Sequence, residues 1–192
     1  MAKRVFFSFH YDDVKSFRAN VVRNHWVTKD RDDAGFFDAS IWEDAELHGD
    51  ESVKKLIRDG LENTSVSVVL IGSETCNRRW VRYEIVSSMA RGNKMFGVHI
   101  NGIKDRDSNT RAHGQDPFAY LARKYSADGT TLSLYEWSGK EWVPYSDYPE
   151  YKLQTPRPKS DWGKFEQLSI GRRVYDWVAE NGYEKFADWV GT

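Results

Sequence analysis

The sequence predicts an α/β fold, with a central, mainly parallel sheet flanked by helices and a C-terminal β-hairpin and helical elaboration. Three observations carry this. Over roughly the first hundred residues, apolar β-type runs alternate with segments of helical periodicity, the pattern of βαβ units. Ser65 to Ile71 is apolar nearly throughout, as a parallel strand covered on both faces should be. Composition then shifts: all five prolines lie between Pro117 and Pro158, and five of the eight tryptophans lie from Trp137 onwards. The chain is accordingly expected to comprise a first domain over 1–125 and an extension over 126–192 packed on it as one structural unit.

The first predicted strand runs from Arg4 to His10. Asp12 or Asp13 is positioned to cap the next helix, in which Val14, Phe17, Val21 and His25 recur at helical spacing. A mixed-charge loop, Thr28 to Asp33, leads to Gly35 to Trp42, expected to hold a short second strand. After Gly49, the spacing of Val53, Leu56, Ile57, Gly60 and Leu61 predicts an amphipathic helix. Gly72 ends the Ser65–Ile71 strand. Ser73 to Arg79 form a loop in which Asn77 is a plausible N-cap, and a helix bearing Trp80 and Glu84 follows. Lys94 to Ile100 reads as the next strand. Further on, Thr131 to Trp137 and Lys140 to Tyr145, joined by Ser138-Gly139, resemble a β-hairpin rich in aromatic residues. Tyr148 to Ser160 reads as an irregular loop, and Phe165, Val174, Trp177, Phe186 and Trp189 fall in helix-like segments.

The chain has 192 residues, 40% hydrophobic and 15% aromatic, enough for one well-packed core plus an elaboration. With 28 basic and 29 acidic residues its formal charge is -1, so no global field selects nucleic acid or an anionic membrane. Any anion site must be local. The N-terminal residues lack the pattern of a signal peptide, no apolar run approaches membrane-spanning length, and Cys76 is the lone cysteine. A cytoplasmic setting is the expectation.

The most informative stretch is Trp80-Val81-Arg82-Tyr83-Glu84, because the four-residue spacing stacks an indole and a carboxylate on one helix face. Val81, Ile85 and Met89 form the neighbouring stripe that suits packing on the sheet, which leaves the Trp80/Glu84 pair at the edge of that contact. In open α/β sheets ligands bind beyond the carboxyl ends of the strands. Ser8-Phe9-His10-Tyr11 leave the first strand at that edge, and Ser73 to Trp80 leave the central one. In a flavodoxin-like order these two strands are neighbours, so the two loops can line one pocket. Helix N-termini there offer backbone N–H groups to phosphate, and Arg78, Arg79 and Arg82 can supplement them.

Taken together, Val5-Phe6-Phe7-Ser8-Phe9 with Asp12-Asp13, the buried strand ending at Gly72, and Trp80-x-x-x-Glu84 resemble a Toll/interleukin-1 receptor (TIR) domain. Length, aromatic tail and the context Asn77-Arg78-Arg79-Trp80-Val81-Arg82-Tyr83-Glu84-Ile85 make the chain similar to the TIR proteins of the bacterial Thoeris anti-phage system, over essentially its whole length. The resemblance implies a flavodoxin-like TIR fold and an enzyme that cleaves the nicotinamide–ribose bond of NAD+. It implies that Glu84 is the catalytic glutamate, an ionised carboxylate that stabilises positive charge on the ribosyl carbon. With an ordinary pKa of about 4.3, Glu84 would need no large shift to be ionised at neutral pH. The product implied is a cyclic ADP-ribose isomer, formed when a hydroxyl of the same molecule captures the cation, with Phe9, Trp80 and Trp42 excluding water. Further implications are a diffusible messenger that activates a separate effector, the NAD+-consuming ThsA protein; a phage trigger; self-association when active; and NAD+ as substrate with no further cofactor.

Around Glu84, the residues expected to meet substrate are Ser8, Phe9, His10 and Trp80, and more weakly Asp38 and Cys76. Each also has a plainer role: Trp80 in packing, Ser8 in satisfying a strand end, Asp38 in capping a turn, Cys76 as an inert thiol. Adaptor-type TIR domains commonly carry Pro-Gly after the second strand, whereas no proline precedes Pro117 here, which weakens an adaptor reading. A non-catalytic scaffold and a plain NADase giving linear ADP-ribose remain as alternatives. Other chemistries lack their motifs. There is no G-x-G-x-x-G or G-x-S-x-G, and Gly92 and Gly97 have Walker-like spacing but are followed by Val98-His99. The histidines at 10, 25, 48, 99 and 113 show no paired ligand spacing, so no metal site is expected. A response-regulator reading is only partly served by Asp12 and Asp13, and the aromatic hairpin lacks the basic groove of a nucleic-acid binder.

Overall fold

The computed structural model describes residues 3–27, 39–148 and 150–191, and the chain separates into two compact units. The first comprises Met1–Gln115 and Arg173–Thr192, and the second Asp116–Arg172. These boundaries fall earlier than residue 125, and the last twenty residues return to the first unit.

In the first unit, β1 (Val5–Ser8), β2 (Val66–Ile71), β3 (Lys94–His99) and β9 (Val174–Asp176) form a wholly parallel sheet in the order β1-β2-β3-β9. Their predicted counterparts at Arg4–His10, Ser65–Ile71 and Lys94–Ile100 are therefore present, and the first two are neighbours, with Val5 opposite Val66 and Ser8 opposite Val69. Every residue of β1 and β2 is buried, which is why neither strand alternates in polarity. On one face Val5, Phe7, Val66, Val68, Leu70, Phe96 and Val98 join Trp26 of α2 (Arg18–Val27) and Phe186 and Trp189 of α6 (Gly182–Gly191) in a single core. Tyr175 and Trp189 stack at 4.2 Å between ring centroids, tying the tail helix to β9. The opposite face is covered by α5 (Arg79–Ala90), which contacts all of β1, β2 and β3.

Several elements depart from the sequence expectation. The first helix is two, α1 (Tyr11–Lys15) and α2, broken at Phe17, whose φ of 65° is left-handed. The restart at Arg18 delivers a buried guanidinium to the carbonyls of Ile103 (2.8 Å) and Asn109 (2.9 Å) and to Asp105 (3.2 Å). Neither Asp12 nor Asp13 caps α1. His10 occupies that position, and Asp13 is buried inside the helix. Likewise Arg78, not Asn77, precedes α5. Ala39–Leu47 is a helix, α3, which excludes a strand over 39–42, and Trp42 donates to Glu46 one turn on at 3.0 Å. The expected loop Thr28–Asp33 and the start of the expected strand, 35–38, lie outside the described residues. The amphipathic helix after Gly49 is present as α4 (Asp50–Gly60), with Val53 and Ile57 buried.

The second unit is an antiparallel sheet of β4 (Leu121–Tyr125), β5 (Thr131–Trp137), β6 (Trp142–Pro144), β7 (Glu150–Lys152) and β8 (Phe165–Gln167), in the order β6-β5-β4-β8 with β7 also paired to β5. The aromatic hairpin is there as β5 (Thr131–Trp137) and β6 (Trp142–Pro144), with Trp137 opposite Trp142 and Gly139 at φ 95° in the turn. Its central partner β4 (Leu121–Tyr125) is not anticipated from sequence. Glu150–Lys152 (β7) interrupts the expected loop, and Phe165–Gln167 (β8) is a strand where a helix-like pattern is expected. Val174, in β9, is corrected in the same way. Short strands of three residues carry too little periodicity to separate the two states.

Candidate active site

Glu84 and Trp80 lie one turn apart on α5, as the spacing requires. Val81 and Ile85 of the expected stripe are buried and Met89 is half-buried, but Glu84 is buried as well, with Tyr83, Val86, Ser87 and Ser88, so of the pair only the half-buried Trp80 lies at an edge. Ser8, the last residue of β1, donates its hydroxyl to Glu84 Oε2 at 2.5 Å. A carboxyl buried this deeply loses the hydration that favours its charge, and burial raises its pKa to about 8, the Ser8 hydrogen bond opposing the shift. Here the structure corrects the expectation of an ordinary carboxylate: with a pKa of about 8, Glu84 is largely protonated at pH 7.

A cavity of about 450 Å³ opens beside it, lined by Phe9, His10 and Tyr11 after β1, by Trp42, Glu43 and Glu46 of α3, and by Asn77, Arg78, Arg79, Trp80 and Glu84. The loops leaving β1 and β2 thus meet as the carboxyl-edge argument predicts. Of the expected substrate-contacting residues, Phe9, His10 and Trp80 line the cavity with Glu84, and Ser8 reaches it through its hydrogen bond. Cys76 does not line it. This buried thiol sits in a 3-10 turn, Thr75–Asn77, with its pKa pushed up by burial, the setting of an unreactive cysteine. Asp38 lies outside the described residues. Tyr11 belongs to the loop the sequence reading places at the pocket, whereas Glu43 and Glu46 are not singled out there; only the Trp42/Glu46 helical spacing hints that α3 presents a polar face.

The cations around the cavity differ in their engagement. Arg79 pairs with Asp50 at 2.7 Å and lies over the Trp80 ring at 4.6 Å. Arg82 donates from Nε and Nη2 to the Cys76 carbonyl, both at 3.2 Å. Arg78 lines the cavity and lies close enough to His10 that its charge, after burial, lowers the imidazole pKa. His10 is therefore neutral at pH 7.

A second, more polar cavity of about 540 Å³ shares His10 and includes Asp13, Arg18, Glu74, Arg106 and Arg111. Burial raises the pKa of Asp13 to about 6. A Cβ at Gly72 would collide with the Asp13 carboxylate, and one at Gly114 would collide with the Gly72 carbonyl, so two glycines let β2's end, α1 and the 101–115 loop close on one another. Among the described residues no cluster of three or more His, Cys, Asp or Glu could hold a metal ion, and no helix is long and apolar enough to cross a membrane.

Comparison with known proteins adds two findings. A family model described as "Thoeris protein ThsB, TIR-like domain" matches residues 6–105, which run from the second residue of β1 past β3 and include every residue lining the 450 Å³ cavity. A Bacillus cereus (strain MSX-D12) protein, provisionally named cyclic ADP-D-ribose synthase ThsB1, is 58% identical over 191 residues, covering 99% of this chain and 100% of that protein.

Proposed function

The chain belongs to the Thoeris ThsB TIR-like family, and from that premise we propose that it cleaves the nicotinamide–ribose bond of NAD+ and closes the remaining ADP-ribose into a cyclic isomer. The observation that carries the proposal is the buried Glu84 carboxyl, held by Ser8 beside a cavity whose lining includes the aromatic rings of Phe9, Trp42 and Trp80. The provisional synthase name of the 58% identical relative supports the ring-closing outcome.

In this account the C–N bond breaks with its electron pair leaving on nicotinamide, and the ribosyl carbon becomes electron-deficient. An ionised Glu84 stabilises that charge at short range in a poorly hydrated site, where the interaction is stronger than in water. The nicotinamide ring of NAD+ is itself cationic, so substrate binding pulls the Glu84 pKa back down and generates the ionised form where it is used. A hydroxyl of the same molecule then bonds to the ribosyl carbon and gives up its proton. A carboxylate whose basicity burial has raised is a suitable acceptor. The aromatic walls exclude the water that would otherwise yield linear ADP-ribose.

Under the same proposal Ser8 orients Glu84, Phe9 and Trp80 hold the nicotinamide riboside portion, and neutral His10 offers a hydrogen bond to a ribose hydroxyl. NAD+ is the substrate and no further cofactor takes part. The cyclic product leaves as a messenger for the effector ThsA, the reaction starts on a phage trigger in the cytoplasm, and active copies self-associate. Bacteria carrying the full chain with ThsA are challenged with phage as wild type and as Glu84→Gln. Protection is expected to vanish in the variant while the protein remains folded and present at wild-type level. Full protection by the variant would favour a non-catalytic scaffold.

A further inference from the structure

We propose that the second, polar cavity receives the adenylate half of NAD+. The adenine stacks between Phe17 and Arg106, Asp13 faces the ribose diol, and Arg111 reaches the phosphate. The inference rests on the NAD+ reading of the first cavity and deepens it.

His10 is the one described residue that lines both cavities. The first, of about 450 Å³, is walled by residues of α3 and α5; the second, of about 540 Å³, by residues of α1, the start of α2 and the loop after β3. Because α2 and α5 cover opposite faces of the sheet, a ligand filling both spaces lies across the carboxyl end of β1. Dinucleotides cross doubly wound sheets at that edge, and each space falls in the size range of small-molecule pockets.

The groups of the second cavity suit an adenylate. Phe17 is exposed and sits at φ 65°, a region in which a bulky residue is held only by its surroundings, and such strain gathers at ligand sites. The Arg106 guanidinium lies 3.8 Å from the centre of its ring. Nucleobases stack on aromatic rings and on guanidinium planes alike, so an adenine fits against Phe17 once the exposed Arg106 side chain swings to its outer face. Asp13 is only 8% exposed yet lines the cavity, and a carboxylate so placed accepts from ribose hydroxyls. Asp105 is occupied by Arg18 and by the amides of Asp107 and Asn109, and Glu74 accepts from Asn77 at 3.1 Å, so the charge at the rim is set largely by Arg106, Arg111 and Asp107. The buried Arg18 also holds the carbonyls of Ile103 and Asn109, which presents the two rim arginines on a preorganised loop. Such a subsite is remote from the bond that breaks and acts through binding.

The full chain is titrated calorimetrically with AMP and separately with nicotinamide mononucleotide, as wild type, Phe17→Gly and Arg111→Ala, each checked by its melting curve. Glycine adopts φ 65° without strain, so Phe17→Gly removes the ring and keeps the backbone. Both ligands carry a ribose and a phosphate, and only the base distinguishes them. The expected result is a loss of about tenfold or more in AMP affinity in each variant, with nicotinamide mononucleotide affinity equal in all three proteins. Unchanged AMP affinity in either folded variant, or equal loss of both ligands, overturns the assignment. A wild-type protein that binds nicotinamide mononucleotide and not AMP overturns the adenylate site and leaves the NAD+ reading of the first cavity standing. Binding of neither overturns that reading, and this inference with it.

Discussion

Ser8 and Glu84, 76 residues apart in sequence, are joined by a 2.5 Å hydrogen bond from the last residue of β1 to the middle of α5. The bond does two things at once. It fixes the carboxyl at the sheet's carboxyl edge, and it favours the ionised form against a desolvation that pushes the other way.

Ser8→Ala should therefore raise the Glu84 pKa further and reduce the ionised fraction at neutral pH. A hydrogen bond to a charged acceptor contributes about 1.5–3 kcal/mol, so kcat/KM at pH 7 is expected to fall about tenfold or more. The loss should shrink as the pH is raised. A loss that is the same at pH 7 and pH 9.5 would show that Ser8 acts otherwise.

The wild-type pH profile should show the same group directly. For the free enzyme, log kcat/KM for NAD+ is expected to rise with pH and level off near 8, where Glu84 loses its proton. The corresponding limb in kcat should lie at lower pH, because the bound cationic ring favours the carboxylate. A profile flat from pH 6 to 9 in both parameters would rule out an ionised Glu84 as the essential form.

Stability should carry the opposite signature. The folded-state pKa of Glu84 is raised from 4.5 to about 8, so over that interval the unfolded chain has lost the proton that the folded protein keeps. Folding stability from this group is full below about pH 4.5, declines up to about 8, and is constant above. Glu84→Gln removes the decline. In urea titrations the variant should gain on wild type by on the order of a few kcal/mol between pH 4.5 and pH 8.5. A difference between the two proteins that does not change with pH would contradict this.

The two glycines that close the neighbouring cavity make a separate structural prediction. Gly72→Ala sets a methyl against the Asp13 carboxylate, and Gly114→Ala sets one against the Gly72 carbonyl. Overpacking of this kind costs about 1–3 kcal/mol. Because a backbone carbonyl has less room to yield than a side chain, Gly114→Ala should be the more destabilising in thermal melts. Equal, wild-type-like melting temperatures would show that this junction relaxes freely.

Sequence reading reached what local periodicity and strand burial control. The Trp80/Glu84 spacing, the Val81/Ile85 stripe, and the continuous apolar runs of β1 and β2 each leave a signature within a few residues, and those elements border the candidate cavity. Phe17 was legible only as one more apolar residue at helical spacing; that the helix breaks there depends on Arg18 reaching the carbonyls of Ile103 and Asn109, some ninety residues away. β9 escaped for a similar reason, since Val174–Asp176 is too short to show a period and becomes a strand by pairing with the edge of β3. The pKa of Glu84 was missed because the same spacing suits a solvated or a buried carboxyl. Glu43 and Glu46 reach the cavity through the placement of α3, which no local pattern states.

The central claim is that Glu84 serves ring closure of NAD+, and product mass tests it most directly. Extracts of phage-infected cells expressing the full chain, as wild type and as Glu84→Gln, are compared by mass spectrometry. The account predicts free nicotinamide and an ADP-ribose derivative lacking one water in the wild type, with neither formed above background in a folded, equally abundant variant. Linear ADP-ribose alone from the wild type, or the same cyclic product from Glu84→Gln, would contradict it.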